Sequence, residues 1–262
     1  VEMGRDVRCE NRTVSGFPFH IEVSCGQAGL DAQEQGIAAD VDAVRSVALL
    51  YNPGLVITEA DGPLTIKLSP AAGLTGELTG RWKTARSSVS AGLSGLKRAS
   101  FVAEDVILST TARTGLAGLE QVSLKDAQLH LRPNPEVPAD FDVALTVSDM
   151  LTTRFGGELP TMDLRLLATA GNVGEALGFD PEMLIRTWLD NGGALDVESA
   201  RFSSLGFSAH ASGPVTISED GLVSGKVRLE ISGMEKFPDL VAAVAPQYRD
   251  DAEQIASTFK SF

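Results

Sequence analysis

Cys9 and Cys25 are the two cysteines of the chain, and such a pair can cross-link, hold a metal or supply a nucleophile. They lie sixteen positions apart, a loop that a disulfide would stabilise by about 3 kcal/mol in the chain-entropy account. A zinc pair favours tighter spacing or neighbouring histidines, and only His20 is near. The reading is a disulfide staple over 9–25 in an oxidising compartment; the alternative is two reduced core thiols in a cytosolic protein.

The remaining chemistry-bearing residues form no recognisable constellation. His20, His130 and His210 stand far apart, each within a strand-like pattern, where a structural or surface role is the common one. Gly92-Leu93-Ser94-Gly95 misses the spacing of a nucleophile elbow. Gly221 to Lys226 is too short for a phosphate loop, and Val227 follows the lysine where Ser or Thr belongs. Asp40/Asp42 and Asp250/Asp251 are acid pairs, but adjacency in sequence does not set carboxylates across a cleft. The expectation is a protein that is not an enzyme and uses no cofactor or metal.

The net charge of -13 and the absence of a Lys/Arg run argue against a nucleic-acid partner. No stretch approaches the ~20 apolar residues that span a bilayer. The chain starts at Val1 without Met, so an upstream cleaved signal, membrane anchor or tag is expected, of which an anchor would bring membrane association; the exported, periplasmic location is expected from the cysteine pair.

These residues must be carried by strands. Aromatics make up only 6%, which leaves Val, Leu, Ile and Ala to build the core. Phe17, Phe19, Ile21 and Val23 alternate with Pro18, His20 and Glu22, predicting a hairpin or kinked edge strand with both phenylalanines buried. The same period runs through Ile37–Ala43, Leu64–Leu68, Phe141–Ser148 and Met162–Leu166, with turns at Asn52-Pro53-Gly54 and Asp61-Gly62-Pro63. From Gly76 to Pro133 the pattern predicts long twisted strands.

A helix is predicted over 180–191, capped by Asp180 with Pro181 first and stopped by Gly192-Gly193. Val215 and Ile217 should form a hairpin with Val227, Leu229 and Ile231 through Glu219-Asp220-Gly221. Helical stretches over 238–260 close the chain, with Tyr248, Ala252, Ile255 and Phe259 on one stripe. The expected fold is mainly β, a β-rich α+β domain spanning 1–262, as a long curved antiparallel meander with two or three packing helices.

The segment Cys9…Ser15-Gly16-Phe17-Pro18-Phe19-His20…Cys25 resembles the signature of an uncharacterised bacterial envelope family. Its members carry a Cys, a Gly-Phe-Pro-Phe-Arg-like core and a second Cys just beyond a short membrane anchor. Similar pieces are Tyr51-Asn52-Pro53, Gly62-Pro63-Leu64, Arg81-Trp82, Gly192-Gly193-Ala194-Leu195 and Asp220-Gly221-Leu222-Val223-Ser224-Gly225. His20 stands where the pattern has Arg, and the chain ends at Phe262 where a further strand is expected. The resemblance implies location and fold, with Gly16, Phe17, Pro18 and Phe19 as structural signature residues, and implies no activity. At the level of fold alone, the meander also looks like AsmA-type envelope proteins, whose curved sheets enclose a lipid groove.

Strands with one apolar face and no catalytic constellation lead to a periplasmic binding or transport module for a lipid or other apolar ligand. The expected groove lining is Val143, Leu145, Leu164, Leu166, Phe207 and Leu229. The competing expectation is a non-catalytic envelope scaffold with a closed core.

Overall fold

The computed structural model describes residues 6–72, 75–93, 95–111, 118–154, 157–173, 181–190, 192–218 and 220–259. It is mainly β: 67% is strand in antiparallel sheet, with three short helices. In chain order the strands are β1 (Asp6–Glu10), β2 (Thr13–Ser15), β3 (His20–Cys25), β4 (Gln27–Ala32), β5 (Ile37–Leu49), β6 (Asn52–Leu68), β7 (Gly76–Arg81), β8 (Thr84–Gly92), β9 (Gly95–Thr110), β10 (Leu119–Pro133), β11 (Phe141–Arg154), β12 (Gly157–Glu158) and β13 (Met162–Ala170). Helix α1 (Pro181–Asp190) precedes β14 (Ala194–Ser204), β15 (Phe207–Ile217), β16 (Val223–Gly225) and β17 (Arg228–Ser232), and α2 (Phe237–Val244) and α3 (Arg249–Phe259) follow. The chain groups into two compact units, 1–93 with 99–127 and 150–158, and 94–98 with 128–149 and 159–262. Strands β9, β10 and β11 contribute to both.

In the first unit β1 and β2 are halves of one ribbon. Their pairings with β4 and β3 keep a single register, from Asp6↔Asp31 to Ser15↔Glu22, interrupted at Asn11 and Arg12. Strands β3 and β4 likewise run along β5 in one register, from His20↔Leu49 to Ala32↔Ile37. On its other side β6 pairs with β7 and then β8. The interruptions recur at one level: Asn11 with φ 49, Gly26, the register shift between Val41 and Ala43, Gly62-Pro63, Trp82-Lys83 and Asp105 with φ 50. Trp82 Nε1 donates to the Ala60 carbonyl at 2.7 Å, and the Lys83 amide to Glu104 at 3.0 Å, so donors beside the break find partners across it. Cys9 and Cys25 bridge at the same level, with Cα atoms 5.2 Å apart. Three signature pieces far apart in sequence thus meet on one line.

Two expectations change here. Asp61-Gly62-Pro63 is not a turn but a bulge inside the 17-residue β6, since a proline lacking an N–H is accommodated where the ladder opens. Phe17 and Phe19 are not buried; they are 85% and 73% exposed. Gly16, at φ 96, turns the chain, and the amides of Phe19 and His20 both bond its carbonyl at 3.2 Å, so both rings sit on a hairpin tip. Alternation across a tip has no sheet face to obey.

In the second unit β13, β14 and β15 form an antiparallel meander. β15 divides its outer edge: Val215–Ile217 pair with β16, and Ser208–Ser212 with β17. The expected partner of Val215 and Ile217 therefore moves from Val227–Ile231 to the short Val223–Gly225, because the turn at Gly221 is tight, its amide bonding Ser218 at 2.8 Å. Glu219, Asp180 and Asn191 lie outside the described residues. Helix α1 stops as expected, with Gly192 and Gly193 at φ 93 and 39 and their amides capping the Leu189 and Trp188 carbonyls at 2.9 and 3.0 Å. Among the described side chains of α2 and α3 the buried ones are Leu240, Ala252 and Ala256, while Tyr248 and Ile255 of the expected stripe are exposed and the side chain of Phe259 lies outside the description; small side chains let the two helices approach closely.

The core is thin. Among the described residues no large side chain is fully enclosed.

Candidate functional site

The register of the second unit sorts its side chains into two faces. Met162, Ser204 and Phe207 begin one face. The rows Leu164–Phe202–Ala209–Ile231 and Leu166–Ala200–Ala211–Leu229 follow, and then Ala168–Val197–Gly213 and Ala170–Leu195–Val215. The displacement of register at Ala168 and Val197 keeps apolar residues on this side although the parity of β14 changes. No charged residue lies on this floor, which at about 3.4 Å per residue and 4.8 Å per strand measures about 27 by 14 Å.

A helix stands at each end. Phe207, 7% exposed, packs between Phe202 and Phe237 at centroid distances of 6.4 and 5.5 Å, which sets α2 over that end. At the other end Trp188 Nε1 of α1 donates to the Gly171 carbonyl at 2.9 Å, just past β13. Between them Leu164 is 37% and Leu229 58% exposed. Of the six residues expected to line a groove, Leu164, Leu166, Phe207 and Leu229 lie on this floor by register. Val143 and Leu145 alternate along β11, half-buried, and Val143 borders an open depression of about 700 Å³ with Arg132, Asn134, Asp142 and Thr169. In that depression Asp142 accepts from Arg132, Asn134 and Thr169 at 3.0, 2.8 and 3.1 Å. Partial burial pushes its carboxyl upward, but these bonds outweigh it and hold the group below its ordinary value.

The reverse face is polar: Asp163, Ser203, Ser208 and Ser232 in one row, Arg165, Arg201, His210 and Glu230 in the next. Here Ser199 Oγ lies 3.1 Å from His210 Nε2, whose Nδ1 is 3.6 Å from Glu230 Oε2. Sequence reading missed this Ser–His–Glu succession because it is assembled from three strands. The carboxylate is too distant for a hydrogen bond and largely exposed, so it cannot fix the imidazole as an orienting acid must. Among the described residues no three His, Cys, Asp or Glu groups are placed to hold a metal.

The first unit has no such division: on one face the polar row Ser46–Thr58–Ser87 follows an apolar one, and Val47–Ile57 shares the face of Glu59. Ile21–Ala48–Val56–Val89 form one cross-strand apolar row, open to solvent. The opposite side carries Glu59 between Arg45 and Arg86. Hydrogen bonds from Arg45 and then Arg86 hold the Glu59 carboxyl below its ordinary value against the smaller effect of burial.

Over residues 2–262 the chain matches the family described as uncharacterized protein conserved in bacteria, DUF2125. No curated protein and no solved structure matches it. The match spans nearly the whole chain, and the protein belongs to this family.

Proposed function

We propose that this protein is an exported, non-catalytic binding module whose second unit holds a lipid acyl chain, or a ligand of similar apolar character, along the floor built by β13, β14, β15 and β17. The observation that carries the reading is an uncharged floor left open at Leu164 and Leu229 between two helix-bearing ends. Ala168, Ala170 and Phe207 at the ends of the floor are buried, so the part that seeks cover is its middle, at Leu164 and Leu229. Each CH₂ laid on it contributes up to about 0.8 kcal/mol, so a chain of a dozen carbons can bind usefully without a dedicated head-group pocket. Export is supported by the Cys9–Cys25 bridge, a bond that persists in oxidising compartments. The open surface favours this reading over a scaffold with a closed core. Displacement of a fluorescent long-chain fatty acid tests it: micromolar binding is expected, lost in Leu164→Asp/Leu229→Asp, and a wild-type protein that takes up no fatty acid refutes it.

A further inference from the structure

Three turns meet at one end of the first unit. The β2–β3 turn carries Phe17 and Phe19, the β5–β6 turn Leu50 and Tyr51, and the β8–β9 turn Leu93. The first two are joined by the Leu50 amide, which bonds the Phe19 carbonyl at 3.1 Å. The third lies alongside, because a Cβ on Gly54 would collide with the Ala91 carbonyl and Leu55 pairs with Ser90. Tyr51 is 80% exposed and Leu93 wholly so, and the rings of Phe17 and Phe19 are exposed as well. From β2 to β8 the rim spans about 19 Å at the usual strand spacing.

The segments Gly16–Phe19, Leu50–Pro53 and Gly92–Leu93 contain no Asp, Glu, Lys or Arg, in a chain of net charge -13. Nothing in the sheet requires this: the rings touch no core, and the turns would form with polar side chains. Apolar residues that project singly from neighbouring tips suit a soft partner that closes around each, and Phe and Tyr rings are stable where hydrocarbon meets head groups. The charge distribution points the same way. An acidic body is repelled by anionic head groups, so a neutral apolar tip is the part of this unit able to approach a bilayer.

The geometry points to a membrane-docking rim: Phe17, Phe19, Tyr51 and Leu93 insert into the interfacial layer of a lipid bilayer and set the first unit end-on to it. This inference is independent of the acyl floor of the second unit. Co-flotation of the whole protein with phosphatidylcholine vesicles tests it, together with a Tyr51→Trp variant read by fluorescence. The wild type floats with the vesicles, and the emission of the indole introduced at the tip shifts to the blue and is quenched by brominated acyl chains. Tyr51→Ser weakens partitioning about tenfold, and Phe17→Ser/Tyr51→Ser/Leu93→Ser at least 100-fold. The melting temperature of the triple variant stays within about 3 °C, and it still binds fluorescent fatty acid in solution. Raising the fraction of phosphatidylglycerol weakens binding. Wild-type protein that stays unbound, a triple variant that floats equally well, or binding that grows with anionic lipid would each overturn the rim, and the first two would hand these tips to a protein partner.

Discussion

Leu229→Ala separates a floor that is open for a ligand from one that is closed by the protein itself. Full burial of a leucine side chain contributes about 1.5–3 kcal/mol, and Leu229 is 58% exposed. The portion already covered is therefore worth about 1 kcal/mol to the fold, and truncation should lower Tm by only about 2–4 °C. The exposed portion is what an acyl chain would cover, so the same truncation removes about 1 kcal/mol of binding and weakens fatty-acid affinity about five- to tenfold. Phe207→Ala provides the contrast. Phe207 is enclosed between Phe202 and Phe237, so its loss costs the fold about 3–5 kcal/mol. Calorimetric melting and fluorescent-fatty-acid titration of both variants are the assays. If Leu229→Ala destabilises as much as Phe207→Ala and leaves affinity unchanged, the reasoning fails, because Leu229 would then be covered by protein.

Replacing both Cys9 and Cys25 by Ser should cost about 3 kcal/mol, seen as a Tm about 6–12 °C lower, with reductant having no further effect on the variant. Glu59 has a folded pKa below its ordinary value, so its contribution to stability is present above the unfolded-state pKa and fades as pH falls through the folded one; Glu59→Gln should melt earlier than wild type at pH 7, with the gap closing below about pH 4. Ser199→Ala should leave any hydrolysis of generic ester, phosphate and glycoside substrates at background, as in the wild type; turnover abolished by this substitution would make the protein an enzyme.

The strand-rich class was legible because period-two alternation is a local signal, and so was the stop of α1, where two glycines take positive φ. The disulfide was legible from two cysteines at a workable spacing. Leu164, Leu166 and Leu229 advertise their shared face by alternation, whereas Ala200, Ala209 and Ala211, which complete the rows, are too small to stand out. The line of interruptions through Gly26, Gly62 and Trp82 was hidden because it depends on the register between strands. Phe17 and Phe19 misled for a related reason: the pattern marks them as core, but a glycine one position earlier turns the chain and leaves both rings in solvent. The meeting of Ser199, His210 and Glu230 was equally invisible, because three strands bring together residues that carry no motif.

Mass spectrometry of an organic extract from folded protein purified out of a bacterial envelope tests the central claim most directly. The account predicts an acyl lipid in near-stoichiometric amount, depleted when Leu164→Asp/Leu229→Asp is purified the same way. Lipid-free protein that also refuses a long-chain fatty acid in solution would contradict it.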